Sequence, residues 1–279
     1  MIYLILSIVT SSMISILMRI SEKKIKSTLA MFVTNYLVCT VLSVVYIKDV
    51  PVFSLQKGSG FAIGLGVVGG IFFLLSFYLL QFNIQKNGVV LSATFMKLGV
   101  LVPTLMALTV FHEIPKKFQI VGFILAVIAI IIINGKKEEN GKERKSVWLI
   151  ILLLAGGFTD SLANIYDKAG EAALKDQYLL YIFMTATLLC VIILVLQRYL
   201  PTGYELLWGA VIGIPNYYST RFLLLSLGEF PAILVYPVYN IAVILVVSLV
   251  GILVFKEKLD QKKMLGMSLI LAAIVLLNL

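Results

Sequence analysis

The stretch FHEIPKKFQIVGF, Phe111–Phe123, and the stretch FKEKLDQKKMLGM, Phe255–Met267, decide how this chain is read. Phe111, Glu113 and Gly122 of the first recur as Phe255, Glu257 and Gly266 of the second, at a constant spacing of 144 residues. Each stretch stands just ahead of the last long apolar run of its half of the chain. On either side of them, hydropathy and turn signals mark ten candidate spans: 2–20, 28–47, 61–80, 88–111, 118–134, 147–166, 178–197, 205–227, 231–255 and 263–279. The connections are short except for the charged stretch GKKEENGKERKS that starts at Gly135. The expected organisation is therefore a first five-helix repeat over 1–135, a charged linker over 136–146 and a second five-helix repeat over 147–279. A copy with five spans starts and ends on opposite sides of a bilayer, so two copies in tandem sit upside down relative to each other. Inverted repeats place a binding site at their interface near the midplane, where rocking exposes it to either side.

Composition agrees with this reading. Of 279 residues 61% are hydrophobic and only 13% charged, and the mean hydropathy is +1.04. A soluble chain lies nearer 45–50% apolar and about 25% charged, and no single water-soluble core hides so large an excess. A soluble enzyme, a disordered chain and a disulfide-rich secreted domain are excluded, and runs of roughly 20 apolar residues read as helices and not as barrel strands. The fold class expected is an all-α integral membrane protein of ten transmembrane helices in two inverted five-helix repeats. The start of the chain, without a basic segment before its apolar run, reads as a first span and not as a removable signal peptide.

The net charge is +9, and Lys and Arg gather on the odd-numbered connections, which hold 15 of the 23. By the positive-inside rule those connections face the cytoplasm and both termini lie outside. The positive charge suits anionic lipid; no nucleic-acid partner is expected, since Glu138, Glu139 and Glu143 offset the basic residues of the linker. Cys39 and Cys190 lie within apolar runs and suggest neither a disulfide nor a metal site. One histidine, His112, and the lack of a zinc, nucleophile-elbow or phosphate-loop motif argue against an enzyme and against a cofactor.

Charges inside spans are costly and commonly functional. Lys97, Asp160 and Arg221 are the three clear ones. Asp160 and Arg221 each stand six residues before a span end on the same side, roughly 9 Å deep, and could form a charged pair or gate. Lys97 would then face a cavity unpaired, to bind a carboxylate or phosphate of a substrate or to carry a coupling proton. The alternative pairs Lys97 with Asp160 and lets Arg221 snorkel to the interface. Polar and aromatic residues at helical spacing complete a candidate pocket: Thr94 one turn from Lys97, Asn164 one turn from Asp160, Asn216 and Tyr217, then Tyr236, Tyr239 and Asn240. Pro215 and Pro237 sit inside the eighth and ninth spans, as at the broken helices that line transport sites. The stripes Ser7, Ser11, Ser15 and Gly66-xxx-Gly70 read as close helix packing.

Pro103, Phe111-His112-Glu113 and Gly122, followed by Phe255-Lys256-Glu257 and Gly266, resemble the drug/metabolite transporter superfamily, particularly its EamA-like ten-helix group. The resemblance implies a secondary transporter of small metabolites in the cytoplasmic membrane, multi-pass, with relatives that carry amino acids, quaternary amines, phosphorylated sugars or nucleotide sugars. It also implies cytoplasmic termini, against the basic-residue count. Glu113 and Glu257 match the family's glutamate at the ends of the fourth and ninth helices and are read as helix-end structural residues. The expected function is alternating-access transport of a small polar metabolite, anionic or zwitterionic such as an amino acid, by a monomer or homodimer. The alternatives are export of cationic amines through Asp160 and the tyrosines by cation–π attraction, and a membrane-embedded lipid-handling protein or enzyme.

Overall fold

Apolar runs punctuated by Gly, Pro and charged residues become helices throughout the described part of the chain. The computed structural model describes residues 1–47, 56–109, 117–134, 145–230 and 232–277. They form α1 (Ile2–Ser21), α2 (Thr28–Tyr46), α3 (Ser59–Asn87), α4 (Val89–Lys97), α5 (Leu101–Thr109), α6 (Lys117–Asn134), α7 (Lys145–Ala169), α8 (Lys175–Leu196), α9 (Gly203–Glu229), α10 (Ala232–Leu253) and α11 (Gln261–Leu277). Phe111, His112, Glu113 and the linker up to residue 144 lie outside the described residues. Among the described residues, five helical segments are long and apolar enough to cross a membrane: Ile2–Ser21, Thr28–Tyr46, Ser59–Asn87, Val147–Ala169 and Ala172–Leu196. Their outward faces, like those of the other helices, carry large apolar side chains, such as Val45, Ile71, Ile131 and Leu249, that water would not tolerate in such number.

The expected fourth span is not one unbroken α-helix. The backbone tightens into a 3-10 turn at Leu98–Val100, directly after Lys97, before α5 resumes. Gly99 lets this turn lie against α7: a methyl group there would strike the backbone of Gly157, so the two segments touch main chain to main chain. The third helix runs to Asn87, beyond the expected end at residue 80, because its polar tail finds partners. Gln81 donates to the Met18 carbonyl at 3.2 Å, and Asn83 donates to the Leu79 and Trp148 carbonyls at 2.8 and 3.0 Å.

Sequence neighbours are not the main packing partners. The extensive contacts join α2 to α9 and to α8, α1 to α9 and α10, α3 to α8 and α7, α4 to α7 and α10, and α6 to α11. Small residues make two of these interfaces possible. Methyl groups on Gly66 and Gly70 of α3 would fall on the backbone of Tyr178 and Ile182 and on the Cβ atoms of Tyr181 and Thr185. On Gly209 and Gly213 of α9 they would fall on the backbone of Met31 and Asn35 and on the Cβ atoms of Thr34 and Val38. The glycines are 143 residues apart in the two sets, and the residues they face are 147 apart.

Two carboxylates, the buried Glu205 and the largely buried Glu257, tie helix starts together. Glu205 closes a capping box with Thr202 at the start of α9, and also accepts from the Lys26 and Ser27 backbone N–H groups at 3.1 and 2.7 Å ahead of α2. The Tyr199 hydroxyl donates to it at 2.9 Å, and that bond to a carboxylate holds the phenol above its ordinary range. Glu257, just past α10, accepts from Val89 N–H at 2.8 Å and Val90 N–H at 3.2 Å, satisfying the free donors at the start of α4. Gly88, at φ +85°, turns the chain so that those donors face the carboxylate. The helix-end role expected for Glu257 is thus a cap on another helix.

Candidate functional site

A cavity lies between α1, α3, α4, α7, α8, α9 and α10, with about 140 Å³ open to the centre of a water molecule. That is room for on the order of ten waters or one small metabolite. Its lining divides by chemistry. Lys97, Asp160, Asn240, Ser11 and Ser15 make a polar pole; Phe73, Phe77, Ile182, Leu223 and Leu227 belong to apolar walls.

At the polar pole the Lys97 ammonium donates to the Tyr239 hydroxyl at 3.0 Å and lies 4.1 Å from the centroid of the same ring. Tyr239 in turn donates to Ser11 Oγ at 2.9 Å, and Ser219 Oγ stands 3.5 Å from its hydroxyl. The chain of bonds fixes the ammonium but gives it no counter-ion. Asp160 faces the same cavity and, among the described residues, has neither a hydrogen bond nor an ion pair. Asn240 is 4% exposed, lines the cavity and has no hydrogen-bond partner among the described residues. Asn216 donates to Asn35 Oδ1 at 3.0 Å, while its own buried Oδ1 has no partner among the described residues. Two opposite charges and two amides with free hydrogen-bonding capacity therefore converge in an apolar bundle, where unpaired polar groups are expensive.

The pairing of Asp160 with Arg221 expected from their common depth is not formed. Arg221 donates to Asp176 Oδ1 at 2.8 Å and to the Tyr217 hydroxyl at 3.1 Å, and stacks 4.1 Å from the centroid of Tyr46. Depth sets the level of a residue and leaves open which side of its helix it occupies; Asp160 faces the cavity and Arg221 lies outside its lining. Tyr217 is buried among Tyr46, Tyr218 and Phe183 and does not line the cavity. Thr94 is also away from it, its hydroxyl donated to the Val90 carbonyl at 2.7 Å. Asn164 is half-buried on α7 outside the lining. Of the sequence candidates, Lys97, Asp160, Asn216, Tyr236, Tyr239 and Asn240 come together. Ser11 and Ser15 join them, although their stripe reads as packing; three hydroxyls on one helix face are the signal that marks them.

Most of the lining positions recur at fixed spacing. On α3, Phe73, Ser76, Phe77 and Leu80 line the cavity, and on α9 so do Asn216, Ser219, Thr220 and Leu223, each 143 residues on. On α4, Ala93, Met96 and Lys97 answer to Tyr236, Tyr239 and Asn240 of α10, again at 143. On α1, Ser11, Ile14 and Ser15 answer to Gly156, Thr159 and Asp160 of α7 at 145. Lys97 thus stands where the other half carries Asn240, and Asp160 where the other half carries Ser15.

No family model matches the chain. It is 27% identical over 286 residues to a Haemophilus influenzae protein described only as uncharacterized, an alignment that covers 97% of this chain and 95% of the relative. One solved crystal structure superposes on 99% of this chain and 95% of its own with a TM-score of 0.64, at 10% identity. That likeness is one of fold.

Proposed function

We propose that this protein is a multi-pass secondary transporter of the cytoplasmic membrane, of the drug/metabolite transporter kind, that carries a small zwitterionic metabolite such as an amino acid. The observation that carries the reading is the pair of opposite charges, Lys97 from the first half and Asp160 from the second, facing one cavity with no ion pair between them. A zwitterion offers a carboxylate to Lys97 and an ammonium to Asp160, and so neutralises both without net charge in the site. The free amide of Asn240 adds orientation, and the apolar walls accept a side chain.

The ten-span arrangement of two inverted repeats, 1–135 and 147–279, is part of the same proposal. What supports it is the set of packed helix pairs. Exchange of each span for the one five places on turns α2–α9 into α3–α8, α1–α9 into α3–α7, and α1–α10 into α4–α7, and leaves α2–α8, α4–α10 and α6–α11 in place. The glycine contacts and most of the cavity lining obey the same exchange. Without a nucleotide-binding motif in the sequence, the energy comes from a gradient of substrate or protons.

Uptake of radiolabelled amino acids into proteoliposomes, compared among the parent, Lys97→Ala and Asp160→Asn, tests the proposal. Loss in both variants is the expected result. Loss of amine transport in Asp160→Asn alone, with Lys97→Ala unaffected, replaces it with export of cationic compounds. Full activity in both variants sinks it.

A further inference from the structure

The recurrence of lining positions fails at one end of the cavity, and the failure is informative. Ala163, Tyr178, Leu179, Ile182, Leu224 and Leu227 line it toward the end where α8 begins and α9 stops. Their counterparts, at the spacings of 145 for α7, 147 for α8 and 143 for α9, are Met18, Met31, Phe32, Asn35, Gln81 and Ile84. None of these lines the cavity, and every one is 0% exposed. Equivalent positions are therefore open at one end of the molecule and shut at the other.

The shut end is tied by charge. Arg19, which follows Met18, places Nε 3.5 Å from the Glu257 carboxylate, and its Nη1 donates to Glu22 and, at 3.4 Å, to the Ile84 carbonyl. Its guanidinium lies 6.0 Å from the centroid of Phe255. Glu257 itself holds the N–H groups of Val89 and Val90. Glu257 comes from the second half and Arg19 and α4 from the first, so these contacts span the halves and cannot survive a change in their relative tilt. At the open end, one ion pair between the halves is Met1 with Glu229, 75% and 41% exposed. Such exposed pairs contribute little, whereas bonds to a largely buried carboxylate are strong.

We infer that Glu257, gripped by Arg19 and the start of α4, is the lock that holds this end closed, and that releasing it opens the Met18–Ile84 side while the Leu227 side closes. The lock would serve the transport proposed above and rests on that reading for its purpose, but its test reads conformation alone. Cys39 and Cys190 are buried and are replaced by Ala. Single cysteines are then introduced as Met18→Cys or Leu227→Cys, and the rate of labelling by a charged maleimide is measured on the purified full chain, with and without Glu257→Gln. Release of a charge-assisted contact should speed labelling at position 18 roughly tenfold and slow it at position 227. Arg19→Gln, which breaks the same lock from its other partner, should repeat the result and serves if Glu257→Gln does not fold. A loosened fold would speed both sites, and a plain helix cap would change neither; any outcome in which the two rates do not move in opposite directions overturns the inference. Opposite movement with no uptake of any zwitterion leaves the lock standing and removes the transport reading, while intact uptake without it removes the lock alone.

Discussion

Lys97 and Arg221 make an instructive pair. Each is a cation within the apolar bundle, and each lies 4.1 Å from the centroid of a tyrosine ring, Tyr239 for one and Tyr46 for the other. They differ in what completes the shell. Arg221 meets the Asp176 carboxylate at 2.8 Å and the Tyr217 hydroxyl, on the side of α9 away from the cavity. Lys97 donates to a single hydroxyl, that of Tyr239, and among the described residues pairs with no carboxylate, although Asp160 faces the same cavity. A cation with its own counter-ion is finished as a structural element. One held in place by neutral donors and acceptors is oriented yet still electrostatically unsatisfied, which is the state a binding site needs.

Removing the two charges separately should give opposite results. Lys97→Met should cost binding of a zwitterionic ligand about 2–5 kcal/mol, the range for deleting one member of a desolvated charge pair. Its melting temperature should hold or rise, because an uncompensated, half-buried charge has been replaced by an apolar chain. Isothermal titration and a thermal melt on the same sample read both quantities. Arg221→Gln should do the reverse: affinity within about twofold of the parent and a stability loss of roughly 1–2 kcal/mol, from a half-exposed ion pair and one ring contact. If Arg221→Gln weakened binding as much as Lys97→Met, the two cations would not be different in kind. Tyr239→Phe refines the contrast by keeping the ring and deleting the hydroxyl that Lys97 and Ser11 share. Loss of those bonds should weaken binding by about 0.5–1.5 kcal/mol, with little change in fold; an unchanged dissociation constant would mean that the hydroxyl does not orient Lys97.

Hydropathy alone locates the helices, because apolar runs of this length have few alternatives, and the three charges inside spans lead to the cavity through Lys97 and Asp160. Two kinds of information are not carried by the sequence in a readable form. Azimuth is one: Asp160 and Arg221 share a level, but depth does not say which faces of α7 and α9 meet, so nothing in the spacing points to Asp176, in the first turn of α8, as the partner of Arg221. Local satisfaction is the other: Thr94 lies one turn from Lys97, yet a threonine in a helix can return its hydroxyl to the carbonyl four residues back, as this one does. Gly209-xxx-Gly213 is as visible as Gly66-xxx-Gly70, and comparing the two extends the spacing of 144 seen at Phe111 and Phe255 into the packing interfaces at 143.

The interleaving of the halves has a consequence for how the chain is made. When α1, α2 and α3 have left the ribosome, their principal partners α7, α8 and α9 do not yet exist. The N–H groups of Lys26 and Ser27 wait for the carboxylate of Glu205, far downstream in the second half. The expectation is that final assembly is a late, collective event and not a sequence of finished units. The two halves, made as separate polypeptides, should accumulate only when both are present in the same cell.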